Sequence, residues 1–236
     1  MNLDYKQLEY TANTRRIFDG RNPAMEKPEI YLQPTSTIDA DNEEIKEKAR
    51  LITLGSSNER EKAVKLFYFV RDSIRYSVYM VSVFIEDFVA SRVLEWGKGY
   101  CVQKAVLLTA LARASDIPSR IAFAKIRNHR VPEKVIEMVG SNVFPRHGYS
   151  QLFIEGRWVS AAATFDKKLC ENHGLITVEF DGIHDAILPS RDLHGNPYIE
   201  YLEKFGSWAD LPFDWVYEAV SKNVGPEKRA WLKPPE

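Results

Sequence analysis

The residue of this sequence best suited to do chemistry is Cys101, which follows the glycine-rich approach Gly97-Lys98-Gly99-Tyr100 and opens a helical apolar pattern. The partial positive charge at a helix N-terminus favours a thiolate and so lowers the thiol pKa. The unpaired N–H groups of the first turn can also stabilise the oxyanion that forms when sulfur attacks a carbonyl. The pattern is typical of a nucleophilic cysteine, although a small cysteine filling the core would fit the same position.

A histidine that can serve as the base, His147, directly precedes a predicted β-hairpin that turns at Glu155-Gly156. If the pairing continues past the hairpin, His147 lies opposite Thr164 and diagonal to Asp166 on one face of the sheet. A carboxylate there would hold the imidazole in the tautomer that accepts the thiol proton. The residues therefore predict a catalytic triad of Cys101, His147 and Asp166.

The order of these motifs resembles the core of the transglutaminase-like superfamily, over residues 61–166. The matching motifs are Ile74-Arg75-Tyr76, Gly99-Tyr100-Cys101, Asp116-Ile117-Pro118-Ser119-Arg120, with Asp116 where the family usually has glycine, and the block from His147 to Asp166. Residues 201–212 also look like the tail of a little-characterised bacterial branch. The resemblance implies a papain-like core, acyl transfer on amide bonds through a thioester, and no cofactor.

The sequence departs from the family pattern at the third catalytic position. The family's acid comes four residues after the hairpin tryptophan, and in this chain Ala162 occupies that place, followed by Ala163 instead of proline. Asp166 is our hypothesis for the orienting acid. Asp181, Asp185, or no acid at all are the alternatives.

The predicted secondary structure places helices before strands and so favours an α+β fold, with the cysteine at a helix N-terminus packed on an antiparallel sheet. We expect N-caps at Asp39 or Asp41 and a capping box from Ser56 to Glu59. The Cys101 helix should bury a stripe of Ala105, Leu108, Leu111 and Ala112. The predicted elements are helices at 42–53, from about 59, from 101 and at 215–221, strands at 120–126, 148–154 and 157–163, and a long loop at 128–145.

Three regions follow from this pattern. Residues 1–40 are predicted to form an extended arm, residues 41–190 the catalytic core, and residues 191–236 an extension packed on the core. The charged segment 126–145 lies between the cysteine helix and the histidine strand, and we consider it for a lid or substrate-selecting flap.

Composition excludes several classes of protein. The 236 residues are 44% hydrophobic and 28% charged, with 32 Lys and Arg against 33 Asp and Glu. A net charge of −1 argues against a nucleic-acid-binding protein. The sequence lacks the run of about 20 apolar residues that a membrane helix needs and an apolar leader, so we expect a cytoplasmic protein.

Other candidate site residues carry weaker signals. Trp96 and Tyr100 precede Cys101 and are candidates for lining the acyl or oxyanion site, and Gln103 can turn its amide toward the same cleft. Cys170 and His173 have a metal-like spacing, but the sequence offers no second ligand pair, so we expect no metal.

The expected activity is amide hydrolysis or transamidation, with hydrolysis favoured, on a peptide, protein or small amide. Two alternatives remain at this point: an inactive module that keeps the fold for binding, or a redox protein that pairs Cys101 with Cys170. The sequence does not predict an oligomeric state.

Overall fold

The computed structural model describes residues 27–222. The first 26 residues of the predicted arm and residues 223–236 of the predicted extension lie outside the described part. Within residues 27–222 the α-helices are α1 (Glu43–Thr53), α2 (Glu59–Ser73), α3 (Ala90–Trp96), α4 (Cys101–Arg113), α5 (Glu133–Val139), α6 (Lys167–His173) and α7 (Phe213–Val220). The strands are β1 (Arg75–Tyr76), β2 (Lys98–Gly99), β3 (Ser119–Asn128), β4 (Val143–Ile154), β5 (Arg157–Ala161) and β6 (Ile199–Trp208).

The architecture is a four-stranded antiparallel sheet, in the order β5-β4-β3-β6, with α4 packed against it. This confirms the predicted α+β class and the cysteine helix on an antiparallel sheet. A short parallel pair, β1 with β2, brings the end of α2 beside the approach to Cys101.

The first two helices begin where side chains cap them, but not at the predicted residues. The Asn42 side chain accepts hydrogen bonds from two backbone N–H groups of α1, and Asn58 accepts one from Glu61 N of α2. The predictions of Asp39 or Asp41 as the cap, and of a Ser56–Glu59 capping box, were wrong. Asparagine is as good an N-cap as aspartate or serine, so the type of residue did not decide the position.

Helix α4 is the centre of the core. Every residue from Val102 to Arg113 is buried, so the predicted stripe is part of a helix enclosed on all sides. Ser150 of β4 donates a hydrogen bond to Ala105 O at 2.9 Å, and Thr109 donates one to Ser150 Oγ at 3.2 Å. These buried bonds hold the histidine strand against the cysteine helix.

The predicted loop 128–145 is largely regular structure. β3 runs to Asn128, α5 occupies the middle, and β4 begins at Val143. Strand β6 was also missed, and it completes the sheet beside β3. Residues 191–222 of the predicted extension therefore contribute a strand to the central sheet.

The hairpin turns where the sequence predicted, with Ile154 opposite Arg157. Strand β5 nevertheless ends at Ala161. Its edge opposite β4 pairs with Ala186, whose O accepts a hydrogen bond from Ala162 N at 2.8 Å. The chain leaves the sheet at this point. The register that would have carried Thr164 opposite His147 does not exist.

Candidate active site

The start of α4 is held in place by a buried glutamine. Tyr100 is the N-cap residue, and its N–H donates to Gln103 Oε1 at 3.0 Å. The Gln103 amide nitrogen in turn donates to Asp87 O at 2.7 Å. Gln103 is fully buried, so its amide braces the helix start and does not face the cleft.

Gly148 of β4 brings the histidine strand into contact with the cysteine. A Cβ on Gly148 would lie 3.1 Å from the Val102 Cα, tighter than most real Cβ contacts, so a side chain there would require the neighbouring backbone to give by a few tenths of an ångström. Glycine accommodates this close approach without that adjustment. The approach brings the backbone of His147, the preceding residue, near the start of α4, and no hydrogen bond joins the side chains of His147 and Cys101 within residues 27–222.

Burial raises the pKa of the Cys101 thiol to about 11, against the opposing effect of the three backbone N–H groups. The sequence predicted a lowered pKa from the helix N-terminus, and that direction was wrong. The helix N–H groups do favour the thiolate, but desolvation in the surrounding core outweighs them. The side chain is half-buried, and its exposed part lies in a pocket.

His147 is 2% exposed, and burial lowers its pKa to about 4. Its Nε2 has no hydrogen-bond partner among the described residues. The imidazole stacks on Tyr149 with ring centroids 6.1 Å apart and meets Tyr201 edge-on at 6.3 Å. At neutral pH the site therefore holds a neutral imidazole and, from the high thiol pKa, a neutral Cys101.

Tyr201 is a neighbour of His147 that the sequence analysis did not single out. Its ring contacts the ring of His147. Burial raises the pKa of Tyr201, and the negative charges of ionised Tyr149 and Cys101 raise it slightly further. Its hydroxyl accepts a hydrogen bond from Leu188 N at 3.2 Å. No local sequence signal marks this tyrosine, because β6 itself was not predicted.

The structure does not bring Asp166 to the imidazole. Asp166 is the N-cap of α6, where its Oδ1 accepts from Leu169 N at 2.9 Å, while its Oδ2 accepts from Tyr76 N at 3.0 Å. The diagonal position predicted for it required the hairpin pairing that ends at Ala161. Asp166 instead positions the backbone of Tyr76, which lines the pocket at Cys101.

The other two carboxylates considered as the orienting acid of the triad, Asp181 and Asp185, also bind other groups. Asp181 pairs with His184 at 2.7 Å, and Asp185 accepts from Ser160 N at 2.7 Å. Burial accounts for the whole pKa shift of His147, with no contribution from any carboxylate of the described residues. The site is thus a cysteine and a histidine without an acid partner in the described part of the chain.

Cys101 lines one of two adjoining cavities. The smaller, of about 100 Å³, has Cys101 and Tyr100 in its wall. The larger, of about 360 Å³, adjoins it, since Tyr76, Val78 and Phe144 line both. Of the two sequence candidates beside the cysteine, Tyr100 lies in the pocket wall. Trp96 ends α3 beneath the Arg92 guanidinium, 5.8 Å from it, and is not among the described lining residues.

The remaining sequence candidates do not assemble into a further site. Cys170 and His173 lie on α6, and both cysteines are free thiols. Residues 27–222 contain no cluster of three or more His, Cys, Asp or Glu suited to a metal ion. Within the same residues no helix has the length and apolar character to span a membrane.

The site combines a cysteine at a helix start, a histidine on an adjoining antiparallel strand and a pocket between helices. This combination is typical of cysteine enzymes. Residues 46–163, half of the chain, match the family model of the transglutaminase-like superfamily, and the chain belongs to that superfamily. Proteins of this superfamily are generally enzymes. The match ends at Ala163 and so does not include Asp166.

Several solved structures are similar in fold. A candidate cysteine protease from Cytophaga hutchinsonii shares 16% identity at a TM-score of 0.47, with 77% of this chain and 54% of that chain covered. The periplasmic domain of TgpA from Pseudomonas aeruginosa shares 17% identity at a TM-score of 0.42, covering 59% and 48%. This chain thus spans about half the length of these two structures. No curated protein sequence matches the chain significantly.

Proposed function

We propose that this chain is a cysteine hydrolase of amide bonds in which Cys101 is the nucleophile and His147 the general base. The observation that carries the proposal is the position of Cys101 at the start of α4 and in the wall of a pocket, where Gly148, the residue after His147, packs against Val102. Membership of the transglutaminase-like superfamily supports cysteine chemistry in general. The choice of residues rests on the geometry.

The reaction begins from a neutral pair. Cys101 sulfur attacks the amide carbonyl as its proton passes to the neutral imidazole of His147, and the N–H groups at the start of α4 stabilise the oxyanion. The imidazolium then gives its proton to the nitrogen as the C–N bond breaks, which leaves a thioester and a free amine. Water, losing a proton to His147, attacks the thioester and releases a carboxylic acid and the thiol.

The neutral pair changes how the base must work. A resting thiolate–imidazolium pair needs a raised histidine pKa and a lowered thiol pKa, and burial shifts both in the opposite direction. Proton transfer therefore has to accompany attack on a bound substrate. Because residues 27–222 supply no acid partner, the contacts with Tyr149 and Tyr201 orient the imidazole.

Acylation of the protein by p-nitrophenyl acetate tests the proposal. We expect a burst of p-nitrophenolate with one acetyl group on Cys101, located by peptide mass spectrometry. Cys101→Ala should abolish the burst, and His147→Ala should slow it by roughly 10²- to 10⁴-fold. Cys170→Ala and His129→Ala are the matched controls and should acylate at the wild-type rate.

A second measurement separates hydrolysis from amine transfer. We expect the acetyl group to leave at a rate that glycine ethyl ester, added as a primary amine, does not increase. Faster release with formation of the acetylated amine would instead identify a transamidase.

The competing hypothesis is a module that retains the fold without catalysis. The high pKa of the Cys101 thiol and the lack of an acid partner for His147 within residues 27–222 favour this hypothesis. Under that hypothesis Cys101 would acquire no more acetyl label than Cys170, and His147→Ala would not change the rate at which Cys101 is acetylated. Either of these results would overturn the enzyme proposal.

A further inference from the structure

The larger cavity beside Cys101 has the size and the walls of a specificity pocket. Its volume of about 360 Å³ lies at the lower end of the range of ligand pockets, about 300–1,000 Å³, and suits one amino-acid residue. Apolar and aromatic side chains form most of the wall, among them Val135 of α5, Leu169 of α6 and Phe165, which precedes α6. An aromatic or large aliphatic side chain would be well buried there.

The charged residues of this cavity are both arginines. Arg75 and Arg130 line it, together with His173, and no Asp or Glu is among its described lining residues. Arg130 Nε lies 3.5 Å from Asp192 Oδ2, which partly neutralises its guanidinium. Arg75 is exposed and forms no ion pair within residues 27–222. Lys98, its partner in the β1–β2 pair, is also positively charged.

An unpaired guanidinium at the edge of an apolar pocket is suited to a carboxylate, which it can bind through two parallel hydrogen bonds. We propose that the cavity binds an aromatic or large aliphatic amino acid whose α-carboxylate is free and is held by Arg75. An amino acid with a free carboxylate can join the reacting amide only through its nitrogen. It is therefore the leaving group of the reaction proposed for Cys101, and the inferred substrate class is N-acylated apolar amino acids, including the C-terminal residue of a peptide.

This inference rests on the proposed function, but binding tests it without catalysis. The Cys101→Ala protein would be titrated calorimetrically with N-acetyl-phenylalanine, with its uncharged amide and with N-acetyl-alanine. We expect N-acetyl-phenylalanine to bind about fivefold more tightly than the amide, the upper range for an exposed ion pair, with the difference reduced by salt. N-acetyl-alanine, which lacks the apolar side chain, should bind more weakly than both.

Two pairs of variants in the same background locate the interaction. Arg75→Gln should remove the preference for the carboxylate and leave binding of the amide unchanged, while Lys98→Gln, its neighbour across the pair, should keep the preference. Val135→Trp should fill the cavity and weaken both phenylalanine ligands at least tenfold, whereas Ile136→Trp, on the exposed side of the same helix, should not.

The outcomes distinguish this inference from the proposed function. Three results would each overturn the inference and leave the acylation result at Cys101 unaffected. They are equal binding of N-acetyl-phenylalanine and its amide, an equal effect of Arg75→Gln and Lys98→Gln on binding, and undiminished binding to Val135→Trp. Tight, Arg75-dependent binding to the Cys101→Ala protein, together with no acylation of Cys101 in the wild-type protein, would support the pocket and overturn the hydrolase.

Discussion

The Cα of Val102 and the position that a Cβ on Gly148 would take are 3.1 Å apart, at the point where Cys101 begins the helix and His147 precedes Gly148 on the strand. The first turn of the cysteine helix and the histidine strand are therefore in backbone contact. Buried hydrogen bonds from Ser150 and Thr109 fix the same two elements one turn further on. The relative position of Cys101 and His147 depends on this contact.

We expect Gly148→Ala to separate the helix from the strand and to slow acylation of Cys101 by p-nitrophenyl acetate. The added methyl group meets backbone that cannot rotate away, which should lower the free energy of unfolding by about 1–3 kcal/mol. Urea unfolding and the acylation burst measure the two effects. Unchanged acylation in a folded Gly148→Ala protein would show that the contact does not position the sulfur.

The pKa values of about 11 for Cys101 and about 4 for His147 predict the pH profile of simple alkylation. With iodoacetamide and no substrate, the rate should keep rising with pH beyond a free thiol's pKa of about 8.5, because the reactive thiolate forms only toward pH 11. Mass spectrometry of the Cys101 peptide gives the rate. A plateau extending from about pH 5 upward would reveal a resting ion pair and contradict the neutral site.

Substitutions at Asp166 decide whether it orients the imidazole. Asp166→Asn keeps an acceptor oxygen for the backbone, so we expect acylation within a few-fold of wild type. Asp166→Ala leaves Tyr76 N and Leu169 N without their acceptor and should cost about 1–3 kcal/mol of stability. If Asp166→Asn were as inactive as His147→Ala, the triad hypothesis from the sequence would be supported after all.

Lys104 is buried beneath the site, where its Nζ donates to Arg71 O at 3.1 Å and Ile74 O at 2.6 Å. Burial lowers its pKa from 10.5 to about 7, against the attraction of Asp166 and Asp72. Between about pH 7 and pH 10 the unfolded chain binds more protons at this residue than the folded one, so its contribution to stability rises with pH.

The comparison of wild type with Lys104→Met isolates this contribution. We expect the free energy of unfolding of the wild type, minus that of the variant, to increase from pH 7 to pH 9.5. Denaturant titrations at three pH values measure it. A difference that stays constant would mean that Lys104 remains protonated in the folded protein across this range.

The sequence predicted a structural feature correctly when the residues that determine it are neighbours in the chain. The helix start at Cys101, the hairpin turn at Glu155-Gly156 and the core-facing residues of α4 follow from neighbouring residues, and all three were confirmed. The short helices α3, α5 and α6 were missed. At 7 residues each they carry too few turns for periodicity to reveal them, and tertiary packing stabilises them.

The amino-acid sequence by itself determined the family, the helix that begins at Cys101 and the strand that carries His147, because each is written in contiguous residues with a fixed spacing. Only the tertiary structure decided the place of Asp166, since strand β5 ends at Ala161, before the extrapolated register applies, and Asp166 instead caps α6. It also decided the direction of the Cys101 pKa shift. The desolvation of the sulfur depends on all the residues packed around it, which come from distant parts of the chain. The effect of the helix N-terminus on the thiol pKa depends only on neighbouring residues, so the sequence alone indicates it.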